Sequence, residues 1–381
     1  MLFLKDVENI GVDDVEIELF EGQYPVKNGM RYNSYVIRDE HVAVIDTVDE
    51  RFTRTWLAKL KAALGEREPT YLIVQHMEPD HSGSLLRFMR EYPRTTVIAS
   101  AKAFDMMSAF YGDEFSEQRL VVADGDTLSL GRHKLHFIAA PMVHWPEVMM
   151  TFDSTDGALF SADAFGKFGT SQTEEPWEDE AARYFFGIVA PFGVQVKRVL
   201  EKLSERAVRT ICPLHGPVLT EDIGRYVRLY DRWASYEPER EGVVVAYTSV
   251  YGHTAQAVKE LTAHLHRKTT VYDLARCDMT AAIADAFRYD TLVLATTTYN
   301  AAVFPFMHTF LHGLSARRFQ NRRVALIENG SWAPTAATVM KRELASCAAL
   351  EFIADPVTIH SAVDDGVRHR LRALAAILNE K

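Results

Sequence analysis

The sequence predicts an α/β protein of two architectures in series: an αββα sandwich over residues 1–238, then a doubly wound parallel sheet over residues 243–381. Three observations carry this expectation. Strand-like apolar runs follow one another up to residue 161, with helices interleaved sparsely. From residue 243 onward such runs alternate regularly with helical stretches, the pattern of βαβ units. Between the two lies a polar, proline-containing link, Ser235-Tyr-Glu-Pro-Glu-Arg-Glu-Gly242.

In the first half, residues 35–37, 42–45 and 71–74 read as strands because Val, Ile and Tyr dominate them. Helices fit residues 52–64 and 84–91. Further strands are expected at 96–99, 120–122, 134–139, 148–153 and 158–161. A helix at 194–204 precedes Thr210-Ile-Cys-Pro-Leu-His215, and another at 223–234 leads into the link. In the second half, strands are expected at 243–247, 269–274, 291–296, 323–328 and 351–359. Helices fall between them at 254–266, 279–287, 305–315 and 334–346, with a last one at 364–379.

A chain of 381 residues suffices for two sizeable cores. The formal net charge of −10 argues against a general nucleic-acid surface. Cys212, Cys277 and Cys347 are far apart and form no CxxC pair, which disfavours a disulfide framework, a zinc knuckle or an iron–sulfur site. They read as free thiols in a reducing compartment. The apolar run at Met1-Leu-Phe-Leu is too short for a signal peptide, and no stretch approaches the roughly 18 apolar residues of a membrane span. The expectation is a cytoplasmic protein without a nucleic-acid or membrane partner.

One short run, His76-Met77-Glu78-Pro79-Asp80-His81, packs four potential metal ligands between the strand-like 71–74 and a helix opening at Ser82-Gly83-Ser84. A strand-to-helix loop lets such side chains converge. Two carboxylates held this close repel each other unless a cation lies between them. Imidazole mixed with carboxylate suits a redox metal such as iron better than a thiolate site would. Three further candidates sit at strand ends: His144 in Pro141-Met-Val-His-Trp-Pro146, Asp163 after strand 158–161, and His215 before Gly216. The set of four imidazoles and three carboxylates is enough for two metals, one bridging carboxylate and open coordination positions. These seven are the catalytic candidates.

A second constellation opens the other half. Strand 243–247 runs into Thr248, Ser249, Val250, Tyr251, Gly252, His253 and Thr254, and then a helix. Hydroxyls, a glycine and a helix N-terminus make an anion site. The loop is not a GxGxxG fingerprint, so a mononucleotide fits better than a dinucleotide. Two more loops belong to the same sheet edge: Thr297, Thr298, Tyr299, Asn300 and Ala301 after the third strand, and Asn329, Gly330, Ser331, Trp332 and Ala333 after the fourth. A doubly wound sheet binds its ligand at the carboxyl ends of its strands. Tyr299 and Trp332 suit a planar ring.

The six-residue run resembles the metallo-β-lactamase fold superfamily, whose zinc hydrolases carry His-x-His-x-Asp-His. Glu78 stands where the second histidine would be, which adds negative charge and favours iron over zinc. With His144, Asp163 and His215, the pattern resembles the flavodiiron protein family at all seven positions. The loop at 248–254 is similar to the phosphate loop of flavodoxins, with His253 where those often have Asn. The likeness spans essentially the whole chain. It implies a metallo-β-lactamase-like diiron domain (1–238) and a flavodoxin-like FMN-binding domain (243–381). It places one iron on His76, Glu78 and His144, the other on Asp80, His81 and His215, and Asp163 between them. It implies FMN and two iron ions as cofactors of a reductase that takes O2 to water or NO to N2O. Electrons would come from a separate donor such as rubredoxin or a deazaflavin. A head-to-tail homodimer or tetramer would bring the flavin of one subunit near the diiron site of another. Two alternatives stand beside this: a zinc hydrolase fused to a flavodoxin, which Glu78 argues against, and a plain FMN electron carrier, which the complete ligand set argues against.

Other prominent residues read as structural. Trp56, Trp177 and Trp233 are packing residues, and the acidic run at 174–181 is a solvated helix start. Trp145, beside His144, either shapes the pocket or simply packs. His264, His266, His360 and His369 have no partners in sequence that would suggest ligation.

Overall fold

Strands too apolar to face water on either side build the first half of the molecule: Tyr35–Ile37 and Ala43–Ile45 are buried at every position. The computed structural model describes residues 2–112, 117–172 and 176–380. The chain divides into two units, Met1–Tyr184 with Val194–Asp231 and Phe185–Gly193 with Arg232–Lys381. No helix among the described residues is long and apolar enough to cross a membrane.

The first unit holds two large sheets. One is seven-stranded, in the order Leu2–Leu4, Val7–Asn9, Tyr35–Ile37, Ala43–Ile45, Tyr71–Ile73, Thr96–Ala99, Arg119–Val121. Its first four strands pair antiparallel and the rest parallel. The other is five-stranded: Thr127–Ser129, Lys134–Ala139, Met149–Asp153, Ala158–Phe160, Thr210–Cys212. Ile45, Ile73 and Ile98 of the first sheet share a core with Phe137, Met149 and Phe160 of the second, the face-to-face packing expected. Helix Thr53–Leu64 buries Trp56, Leu60 and Leu64 along one stripe. A helix at Ala101–Tyr111 was not foreseen; the Ser100 hydroxyl caps it by accepting the Ala103 N–H.

The second unit is a parallel sheet in the order Thr269–Asp273, Arg240–Tyr247, Tyr289–Tyr299, Arg322–Asn329, Leu350–Phe352. The chain starts in an inner strand and winds outward both ways, which creates a switch point between Arg240–Tyr247 and Tyr289–Tyr299. The strand expected over 351–359 is two strands, Leu350–Phe352 and Val357–Ile359, both paired with Arg322–Asn329. Pro356 lies in the gap and has no N–H to give to the ladder.

Phe185–Gly193 contributes a π-helical turn to this unit. Phe186 stacks on Phe287 at 4.8 Å, Arg317 donates to the Gly187 carbonyl, and the Tyr236 hydroxyl donates to the Ala190 carbonyl at 2.6 Å. Trp56, Trp177 and Trp233 are buried, as expected of packing residues. In the acidic run, Glu174 and Glu175 lie outside the described residues; Glu178, Asp179 and Glu180 occupy the first turn of Trp177–Tyr184, where the helix dipole favours them.

Candidate functional sites

The first sheet hands His76 to the pocket by a short tether. Asp46 ends strand Ala43–Ile45 and accepts the N–H groups of Gln75 and His76 at 2.8 and 3.3 Å. The next residues do not form an open loop. Glu78 caps a helical turn, Pro79–Ser82, so Asp80 and His81 project from helix rather than loop. Proline at the first helical position pre-sets its φ and forfeits no hydrogen bond. Ser82 Oγ donates to the Met77 carbonyl and Thr47 Oγ1 to the His81 carbonyl, locking that turn. From the second sheet come His144, after Lys134–Ala139, Asp163, after Ala158–Phe160, and His215, after Thr210–Cys212. Met142, Ala162 and Phe165, flanking these residues, hold positive φ values of 65°, 49° and 64°. Strained backbone of this kind clusters where side-chain placement matters.

All seven candidates converge in two adjoining groups: His76, Glu78, His144 and Asp163, and Asp80, His81 and His215. Within each, donor atoms lie within 4.8 Å of one another. Asp163 faces both. Its Oδ2 is 3.1 Å from His144 Nε2 and 3.5 Å from His76 Nε2; its Oδ1 is 3.2 Å from His81 Nε2 and 3.8 Å from His215 Nε2. Neither Asp80 oxygen makes a hydrogen bond, although both are buried, and the Nε2 atoms of His81 and His215 face each other at 3.0 Å. Asp80 Oδ2 lies 3.3 and 3.4 Å from the Nε2 atoms of His81 and His215, and a buried carboxylate without a hydrogen bond is costly. A cation among these atoms would satisfy them together, so the donor set fits a metal pair.

The electrostatics agree. Burial alone would raise Glu78, but hydrogen bonds from His144 and His76 hold it at about 2. Burial pushes Asp80 up to about 8, helped by Glu78 and Asp163. Burial would lower His144, yet Asp163 and Glu78 lift it to about 9, while burial takes His215 down to about 4. Groups driven this far apart within one pocket mark a functional site.

Residues not foreseen, together with Trp145, complete the walls. Glu147 accepts the Met77 N–H and meets His76 Nδ1, both at 2.8 Å. Tyr184 donates its hydroxyl to Asp163 Oδ2 at 2.8 Å. Phe20 and Tyr32 stand edge-on to His215. Trp145 stands edge-on to His76 at 5.3 Å, which makes it a wall of the pocket. Of the residues not foreseen, Glu147 had a readable cue, a carboxylate three residues after His144 in the same turn; Tyr184 comes from a distant helix with no motif. A third group, His133, Asp153 and Asp156, lies apart from these seven, and Arg132 already pairs with Asp156.

In the second unit three loops line a cavity of about 520 Å³. Of the cofactor candidates, Ser249, Val250, Tyr251, His253 and Thr254, the run 297–301, and 329–333 line it, joined by Thr335 and Ser361. Thr248 does not: it is buried beneath, its hydroxyl 2.6 Å from that of Thr296. Gly252 is not a lining residue either; its φ of 90° starts helix His253–Thr262 in a conformation glycine alone adopts without strain. Ser249 Oγ accepts the Gly252 and Ala255 N–H groups at 3.2 Å each, shaping the loop. Tyr251 and Trp332 are 89% and 92% exposed, so aromatic faces stand open at the rim.

A family model described as ODP family beta lactamase matches residues 30–216. The anaerobic nitric oxide reductase flavorubredoxin of Citrobacter koseri is 30% identical over 355 residues, covering 87% of this chain and 72% of the relative. That of Salmonella typhi is 29% identical over 354 residues with the same coverage. Among solved structures, rubredoxin oxygen:oxidoreductase from Desulfovibrio gigas superposes with a TM-score of 0.91 at 22% identity, over 100% of this chain and 97% of the other. The flavodiiron protein of Giardia intestinalis gives 0.88 at 23%, over 99% and 95%. At those identities the structures speak to the fold, which they share across both units.

Proposed function

This chain belongs to the flavodiiron protein family, and from that premise we propose that it is a flavin-fed diiron reductase of O2, NO or both. It is an oxidoreductase. The observation that carries the reading is the convergence of seven donor side chains on one buried pocket, with Asp163 facing both groups. His76, Glu78 and His144 would hold one iron, Asp80, His81 and His215 the other, and Asp163 would bridge. When bound, the irons supply open coordination positions and one-electron chemistry, and FMN supplies the electrons.

The chain's own residues do the rest. Asp163 would fix the spacing of the two positions, and Tyr184 holds one of its oxygens by a hydrogen bond. Glu78 and Asp80 offset cationic charge and, with Asp163, favour the higher oxidation state. Phe20, Tyr32 and Trp145 restrict water around the histidines. O2 would consume four electrons and four protons to give two waters; two NO would consume two of each to give N2O and one water. At the other site, the N-terminus of His253–Thr262 and the hydroxyls of Ser249 and Thr254 suit the FMN phosphate, with Tyr299 and Trp332 beside the ring. The donor would be a separate protein or cofactor, such as rubredoxin or a deazaflavin, and the working assembly a head-to-tail homodimer or tetramer.

Glu78 weighs against a zinc hydrolase, since a carboxylate there hardens the site. The test is anaerobic: metal and flavin per chain, then consumption of O2 and NO side by side by the reduced protein. Iron near two per chain with turnover of either gas supports the reading. Full turnover after iron removal, or zinc with hydrolysis, overturns it.

A further inference from the structure

Building on that reading, we propose that Glu147 is a positioning residue for His76, and that its charge makes the His76–Glu78–His144 position the tighter of the two. Glu147 is fully buried at its side chain, and Oε1 is held from two sides, by the Met77 N–H and by His76 Nδ1, each at 2.8 Å. Its backbone is anchored too, since the Ser100 hydroxyl donates to its carbonyl at 3.0 Å. A carboxylate at Nδ1 keeps the ring proton there. Nε2 is then left as the donor atom, turned toward Glu78 at 3.2 Å and Asp163 at 3.5 Å. An anionic partner also makes an imidazole a stronger donor than a neutral partner does.

The other position lacks this support. His215 Nδ1 meets the neutral backbone carbonyl of Arg31 at 2.8 Å. His81 Nδ1 makes no hydrogen bond among the described residues. The two positions therefore present similar ligands backed by different partners. Packing alone does not account for Glu147: its second oxygen is buried without a hydrogen bond, an arrangement that an apolar side chain would avoid.

The test titrates metal-free, full-length protein with Co2+ and with Fe2+ under anaerobic conditions, following the optical bands, with far-UV circular dichroism as the folding control. Wild type should bind two equivalents in unequal steps. Glu147→Gln keeps an acceptor oxygen for both contacts and removes only the charge; its tighter step should weaken by about 10- to 100-fold and merge with the weaker one. Glu147→Ala should weaken that same step further, leaving the other largely unchanged. A merely structural role predicts a wild-type titration for Glu147→Gln and loss of both equivalents, with lost circular dichroism, for Glu147→Ala. That pair of results overturns the proposal, as do two unchanged steps in both variants. Should Glu147→Ala fail to fold, Glu147→Gln alone decides. A wild type that binds no metal pair overturns the functional reading beneath it, whereas two unequal wild-type steps that neither variant alters sink the assignment of Glu147 only.

Discussion

The two candidate sites are built by opposite means. The metal pocket is made of side chains drawn from distant stretches of chain, at 76–81, 144, 163 and 215, all buried but the half-buried Glu78. The cavity of the second unit is made of three loops at one sheet edge, its aromatic rings Tyr251 and Trp332 standing in solvent. The first gathers like charges that folding alone does not satisfy, as the unbonded Asp80 oxygens show. The second leaves less unsatisfied: several of its hydroxyls and loop N–H groups bond one another, and of its described lining only the Thr335 hydroxyl is buried without a hydrogen bond. A pocket of the first kind should depend on its ligand for stability, and one of the second kind should not.

The most severe way to break this contrast is Asp163→Ala. Loss of a residue facing both groups should abolish paired metal binding and lower gas reduction by at least about 100-fold, more than loss of an outer hydrogen-bond partner costs. Flavin content, read by absorbance after gel filtration, should stay at the wild-type value. Loss of flavin as well would mean the sites are not independent.

Next comes the pH response of metal-free protein. His144 sits at about 9 against an ordinary 6.5, so its stabilisation is whole below 6.5 and lost as pH rises through 9. Asp80, raised from 3.8 to about 8, also binds more protons folded than unfolded, so stability declines across that interval too. Thermal unfolding of the metal-free protein should therefore move to lower temperature between pH 6.5 and 9, reflecting a loss of stability on the order of 1–3 kcal/mol. Metal-loaded protein should show a much flatter response, because cations replace those protons. Equal slopes with and without metal would contradict the account.

A smaller effect belongs to the cavity. Ser249→Ala removes an acceptor for two loop N–H groups and should weaken FMN about tenfold, as roughly 1.4 kcal/mol implies, without changing metal content. The smallest is Trp332→Ala. At 92% exposure its removal should change stability by less than about 0.5 kcal/mol while altering flavin release, measured by fluorescence recovery. A large stability loss would show that the ring is packed in the working protein.

How legible each site was follows from the same contrast. The pocket announced itself because ligand chemistry needs rare residue types at close spacing, so His76 to His81 stood out in the sequence alone. What supports those ligands did not. Tyr184 reaches Asp163 across 21 positions, and nothing local to a helix reading Trp177-Glu-Asp-Glu marks its last residue as a hydrogen-bond donor. The loops of the second unit were legible as a set, since strict βα alternation fixes which strand ends share an edge. Their members were less so: Thr248 reads like its neighbours yet points into the sheet. Breaks are harder again, and the strand divided at Pro356 was visible only as one residue that cannot donate.

The segment 185–193, which opens with the π-helical turn Phe185–Val189, carries a consequence for how this gene can be cut and recombined. That segment is encoded between Tyr184 and Val194, both of the first unit, yet its Phe186 ring covers Phe287 and Trp233 of the second. A truncated chain beginning at residue 243 would lack both Phe186 and Trp233 and strip the stacked ring from Phe287, leaving it Phe319. The complementary piece, residues 1–242, would keep the apolar turn with Trp233 and Tyr236 but without Phe287 and Arg317. No single crossover therefore yields two self-sufficient halves, and a swap of one half between relatives would have to carry this inserted segment with it.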